Sequence, residues 1–106
     1  MSIRDSRAVH VGSVPLPNRV VLAPMSGVTD APFRRAVESM GAGLVVSEMV
    51  ATAKLAEGRR DAVLRSDGRG VAINAVQLAG CEARWMGEGA RVAEASGADI
   101  IDINMG

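Results

Sequence analysis

Aliphatic runs and stretches of helical period alternate along this chain. Val20-Val21-Leu22-Ala23-Pro24 is a short strand-like run ended by proline. From Ala31 to Met40, the apolar residues Phe33, Ala36, Val37 and Met40 fall at i, i+3, i+4 and i+7, the spacing of one helical face. Thr29 and Asp30 can cap its start, and Pro32 suits a first turn. Gly41 and Gly43 can end it. Leu44-Val45-Val46-Ser47 reads as a second strand. Ala51 to Glu57 fits one or two helical turns closed by Gly58, and Arg59 to Gly70 is polar, either helix or loop around Ala62-Val63-Leu64. Val71 to Leu78 reads as a third strand. Glu82 to Ser96 is a second clear helix, with Met86, Ala90 and Ala93 at i, i+4 and i+7 beside Trp85 and Val92. Gly97 stops it, and Ile100 to Ile103 is a fourth strand.

Strands separated by helical crossovers imply parallel pairing with right-handed connections. Ahead of them, Val9 to Leu16 alternates around Gly12, which fits a small β-hairpin within residues 8–17 at the bottom of a barrel. An internal repeat supports the α/β reading. Gly41-Ala42-Gly43-Leu44-Val45 and Gly97-Ala98-Asp99-Ile100-Ile101 each mark a helix stop and a strand start, and the same offset pairs Glu48 with Asn104 and Met49 with Met105. The alternative is that such a run is ordinary chemistry for a helix-to-strand loop. Four strands cannot close a barrel, for which about 250 residues are typical. The expected fold is therefore α/β, the N-terminal part of a TIM (β/α)₈ barrel, truncated.

Composition narrows the function. The 106 residues are 48% apolar and 23% charged, with a formal net charge of zero, so this segment is not the strongly basic surface that nucleic-acid binding usually needs. Cys81 is the only cysteine, which excludes an intrachain disulfide and a cysteine-built metal site; no metal is expected. Met1 to Arg7 lacks the apolar core of a secretory signal, and no apolar run reaches membrane-spanning length, so a cytoplasmic protein without membrane association is expected.

In parallel α/β folds, functional residues gather at the C-terminal ends of strands. Here those ends are Pro24-Met25-Ser26-Gly27, Ser47-Glu48-Met49, Gln77-Leu78-Ala79-Gly80 and Asn104-Met105-Gly106. Gly27 and Gly80 can let a ligand approach the backbone, and free N–H groups of Met25 and Ser26 can face a flat, acceptor-rich ring. Gln77 carries donor and acceptor on one amide, suited to a pyrimidine-like edge; the plainer reading is a glutamine bonded to backbone at the edge of the core. Asn104 has the same two readings. Asp102 shares a face with Asn104 and reads as a structural residue that must find partners. Glu48 fits either a site carboxylate or a solvated strand end.

Other candidates are weaker. No phosphate-binding glycine loop follows a strand, and Gly87-Glu88-Gly89 lies inside a helical pattern as a packing feature. His10 reads as a surface residue, Trp85 as packing, and Arg34 and Arg35 as a solvated helix face rather than phosphate ligands. Cys81 precedes a helix start but has no neighbouring base.

Taken together, the strand ends resemble those of the tRNA-dihydrouridine synthase family, most closely its bacterial B-type branch. The run from Asn18 to Arg34 is similar to the family's N-terminal signature, as are Ser47-Glu48-Met49, Val76 to Gly80, and Ala98 to Gly106. The resemblance implies a flavoenzyme in which NADPH reduces FMN, and the flavin then reduces the C5=C6 bond of a uridine in tRNA while a cysteine supplies a proton. It implies that Pro24, Met25 and Ser26 line the flavin, that Gln77 bonds its pyrimidine part, and that Asn104 lies beside flavin and uridine. In the family that cysteine follows the Asn-Met-Gly run directly, which here is Asn104 to Gly106. The expectation is thus a fragment, inactive by itself, lacking the later half of the barrel and the helical tRNA-binding domain. Two other readings stay open: a fragment of another FMN-dependent barrel oxidoreductase of the dihydroorotate-dehydrogenase or old-yellow-enzyme type, which shares the Ala-Pro-Met run but not Gly-Val-Thr-Asp-x-Pro-Phe, and a non-catalytic α/β module.

Overall fold

The computed structural model describes residues 8–106. The order of elements is β1 (His10–Val11), β2 (Val14–Pro15), β3 (Val21–Leu22), α1 (Ala31–Ser39), β4 (Leu44–Val46), β5 (Val50–Ala51), α2 (Thr52–Ala56), α3 (Arg60–Ser66), β6 (Asn74–Ala79), α4 (Ala83–Ala95) and β7 (Ile100–Asn104). β1 and β2 form an antiparallel hairpin. The other strands form one parallel sheet. β3 pairs with β4, β4 and β5 share one side of β6, and β7 takes its other side. The parallel sheet thus runs in sequence order, β3, then β4 and β5 along one side of β6, then β6, then β7, and it is open at β3 and at β7.

Alternation along the strands separates two faces. Val50, Val76, Leu78 and Ile101 pack against Leu55, Ala62, Met86, Ala90 and Ala93, the helix-covered face. Leu44, Val46, Ala75 and Ile100 pack against Leu16 and Val9 of the hairpin segment, so the hairpin covers the opposite face at the start of the strands. Further along that face Gln77, Asp102 and Asn104 continue the parity of Ala75 and Ile100, with Gln77 buried, Asn104 half-buried and Asp102 exposed.

The second stave is broken by a bulge. Val46 pairs with Ala75 and Val50 with Leu78, four residues against three. In a regular strand Val46 and Val50, four residues apart, would share a face; the bulge instead leaves Val46 under the hairpin and Val50 under the helices. The ladder bond lost there is replaced by a side chain, because the Gln77 N–H donates to Ser47 Oγ at 2.9 Å.

The two repeated segments have one shape. Gly41 and Gly97 each adopt a left-handed φ (112° and 107°) after a helix, and the following residue, Ala42 or Ala98, bonds back to Val37 O or Ala93 O. Each then enters a strand.

Several elements differ from the sequence reading. The first strand is Val21–Leu22 rather than Val20 to Pro24, and the third starts at Asn74 rather than Val71, because Gly68 to Ile73 turns across α1 instead of joining the ladder. Arg35 Nη1 donates to Arg69 O, and Glu38 accepts from the Ala72 N–H, lacing that turn to α1. Arg59 to Gly70 contains α3 followed by this turn. Asp30 caps α1 as expected, its carboxylate accepting from the Phe33 N–H at 2.9 Å, but Thr29 is turned toward Met25. The expected apolar face of α1 is not the buried one: Phe33 is 39% and Met40 82% exposed. The stripe turned inward is instead Ala31, Arg34, Val37 and Glu38.

Candidate functional site

The C-terminal ends of the strands converge through the bulge. The loop after β3 is tight. Val28 N–H and Thr29 N–H both donate to Met25 O at 3.0 Å, and Gly27 takes a left-handed φ of 75°. Glu48, thrown out by the bulge, accepts from the Gly27 N–H at 3.0 Å and stands 3.8 Å from Arg65 Nε. It is buried, which corrects the solvated strand end expected as one of its readings. The extra residue in β4–β5 turns this carboxylate toward the first loop. Met49, next to it, accepts from Asn104 Nδ2 through its sulfur at 3.6 Å.

One expectation about backbone exposure is corrected. The Met25 N–H is not free, because it donates to Thr29 Oγ1 at 3.0 Å. Among the described residues nothing accepts from the Ser26 N–H, so one donor of that pair stays available. At Gly80, which lines a cavity with Thr52, Cys81 and Trp85, an added Cβ would run into Thr52 Oγ1, so the glycine also makes room for α2.

Gln77 sits at the centre of the sheet end and is 9% exposed. Its main-chain N–H is held by Ser47, and its side-chain Nε2 donates to Asp102 Oδ2 at 2.7 Å. Asp102, its neighbour in register, is exposed, so it meets its partner without the deep desolvation expected of it. Of the sequence-selected residues, Pro24 is half-buried, Met25 and Ser26 are exposed, and Asn104 is half-buried with its side-chain Oδ1 accepting from the Gly106 N–H. The structure joins loop 24–27 to β7 through Glu48 and Met49, and Gln77 to the same segment through Ser47.

Sequence reasoning missed Arg34. It is fully buried, not on a solvated face. Its Nε donates to Thr29 O (3.0 Å) and its Nη2 to Asp67 O (2.7 Å) and Arg65 O (3.4 Å), with Nη1 3.4 Å from Asn74 Oδ1. Burial pulls the guanidinium below its ordinary pKa, opposed by Asp67, Asp30 and Glu48. Carbonyls more than thirty residues away receive it, and no local pattern announces them. Cys81 is exposed at the start of α4, and His10 is exposed on the hairpin. Arg84 lies over the Trp85 ring, 4.5 Å from its centroid. Among the described residues no helix is long and apolar enough to cross a membrane.

This arrangement has relatives. The profile of the dihydrouridine synthase (Dus) family matches residues 21–106. The chain belongs to that family. A probable tRNA-dihydrouridine synthase of Rhizobium leguminosarum is 57% identical over 89 residues, covering 84% of this chain and 28% of the relative. A probable tRNA-dihydrouridine synthase of Rickettsia conorii is 48% identical over 103 residues, covering 92% and 30%. The tRNA-dihydrouridine synthase B of Pasteurella multocida is 46% identical over 99 residues, also covering 92% and 30%. The chain therefore spans less than a third of the length of these dihydrouridine synthases.

Proposed function

We propose that this chain forms the opening staves of a (β/α)₈ barrel and one wall of an FMN site in a protein that reduces uridine in tRNA with NADPH. The supporting observation is the join between loop 24–27, the Ser47–Met49 bulge, Gln77 and Asn104 at one end of a parallel sheet, in a chain of the dihydrouridine synthase family. The residues fit a flat, polar-edged ring. Met25 offers an exposed thioether side chain, Ser26 an unpaired N–H, and Gln77 an amide whose oxygen receives no bond from any described residue.

In this reading Pro24, Met25, Ser26 and Gln77 hold the flavin, and Asn104 lies beside both flavin and uridine. When bound, FMN supplies the hydride that the protein's own side chains cannot. The chain's task is binding and orientation: Glu48 holds the loop through Gly27, Ser47 fixes the Gln77 main chain, and Met49 steadies Asn104. A base read and reduced in structured tRNA must leave its stack. The proton donor and the surface that grips tRNA are assigned to the remaining two-thirds of a protein of the relatives' length, acting in the cytoplasm. Cys81, exposed and without a neighbouring base, is not assigned the donor's role.

The test is an assay of the full-length protein with FMN, NADPH and an unmodified tRNA transcript. Nucleoside mass spectrometry is expected to show uridine gaining two mass units, and the 106-residue chain alone is expected to show no gain. A full-length protein that binds FMN and reduces no uridine contradicts the activity. Turnover by the chain alone contradicts its inactivity.

A further inference from the structure

We propose that Asp102 is a positioning residue that sets which atom Gln77 offers to its ligand, and that the atom offered is the carbonyl oxygen. The ligand edge facing Gln77 is then a hydrogen-bond donor, the imide N–H of a flavin in the reading above, on which this inference rests.

A glutamine amide can present either end, and the two ends select opposite partners. Here the choice is made by a neighbour. Gln77 and Asp102 are cross-strand partners in register on β6 and β7, and Nε2 lies 2.7 Å from Asp102 Oδ2. An ionised carboxylate only accepts, so it must face the NH₂ end and repels the oxygen. The rest of Gln77 is already immobile. Its main-chain N–H is tied to Ser47 Oγ, which in turn donates to Glu48 O. The only freedom left is in the side-chain torsions, and the bond to Asp102 removes it.

The oxygen that this leaves is not consumed within the protein. No described residue donates to Gln77 Oε1. Among the described residues no fully buried side-chain nitrogen or oxygen lacks a partner, so this oxygen retains access to the open face. Asp102 makes no ion pair among the described residues, which leaves its carboxylate to the amide. An acceptor held in place on an open sheet face selects a ring edge that carries a hydrogen.

Titrating the full-length protein with FMN and with N3-methyl-FMN, followed by flavin fluorescence, reads this selection directly. The wild type is expected to bind the methylated flavin at least about tenfold more weakly, since the oxygen then loses its donor. Asp102→Ala is expected to weaken FMN several-fold and to narrow the gap between the two flavins. In a Gln77→Ala background, Asp102→Ala is expected to change nothing further. Asp102→Asn, the same size as aspartate, lets the amide turn both ways and is expected to give a smaller narrowing; it carries the comparison should the alanine variant fail to fold. An unchanged gap in the variants, or equal loss for both flavins, overturns the positioning role. A full-length protein that binds neither flavin instead overturns the functional reading beneath it.

Discussion

Replacing Arg34 by methionine tests how the framework beneath the site is held. Arg34 is fully buried and ties three segments together: Thr29 at the end of the first loop, Asn74 at the start of β6, and the carbonyls of Arg65 and Asp67 after α3. Two of its bonds are short, 3.0 Å to Thr29 O and 2.7 Å to Asp67 O. Hydrogen bonds from a charged donor contribute about 1.5–3 kcal/mol each, whereas the two contacts at 3.4 Å add little. Methionine fills similar volume and removes the cost of burying a cation, which returns part of that sum. The net expected loss is about 3 kcal/mol, or about a 100-fold loss of protection where opening limits exchange. Arg34→Lys keeps the charge but has no planar fork to reach separate carbonyls, so a loss of about 2 kcal/mol is expected. Urea unfolding of the full-length protein, followed by circular dichroism, gives the stability. Amide exchange in residues 67–72 gives the location. A methionine variant within about 1 kcal/mol of wild type, with unchanged exchange in that turn, means that Arg34 does not hold these segments together.

Three further outcomes follow from the geometry. Glu48→Ala frees the Gly27 N–H and is expected to weaken FMN binding about tenfold, while Glu48→Gln, which keeps an acceptor for that N–H, is expected to lose less; equal losses in a flavin titration contradict the loop-holding role. Gly89→Val places a side chain where a Cβ already meets Thr52 Cβ at 3.2 Å and its carbonyl at 3.3 Å, so thermal unfolding is expected to show about 1–3 kcal/mol of destabilisation from forcing α4 off α2. Cys81→Ser is expected to leave flavin affinity and dihydrouridine yield of the full-length protein unchanged, and a large drop in yield assigns that thiol a chemical part.

The helical period of α4 was enough to find its buried face, because Met86, Ala90 and Ala93 are apolar and the sheet below them is apolar too. For α1 the same rule chose the wrong stripe. There the position turned inward holds Arg34, whose carbonyl partners at 65 and 67 come from α3 and the turn after it. The helix stops at Gly41 and Gly97 were legible since a left-handed residue after a helix is local chemistry. The position of Pro24, Ser26, Gln77 and Asn104 at strand ends follows from parallel order alone. Their surroundings do not. The bulge at Ser47–Met49 exists only as a mismatch between paired strands, and it is what turns Glu48 toward Gly27 and Met49 toward Asn104. Alternation placed Asp102 and Asn104 on one face, but the register that sets Asp102 beside Gln77 belongs to the assembled sheet. Thr29 taking the Met25 N–H was within reach of a local reading, since the two are four residues apart around a glycine turn.

A crystal structure of the full-length protein with FMN will show whether the sheet face at the strand ends is one wall of a flavin site. The ring is expected against Met25 and Ser26, with Gln77 Oε1 accepting from the imide N–H while its Nε2 stays on Asp102. A flavin seated elsewhere, such as the cleft between Thr52 and Trp85, or one meeting Gln77 through its nitrogen, contradicts this arrangement.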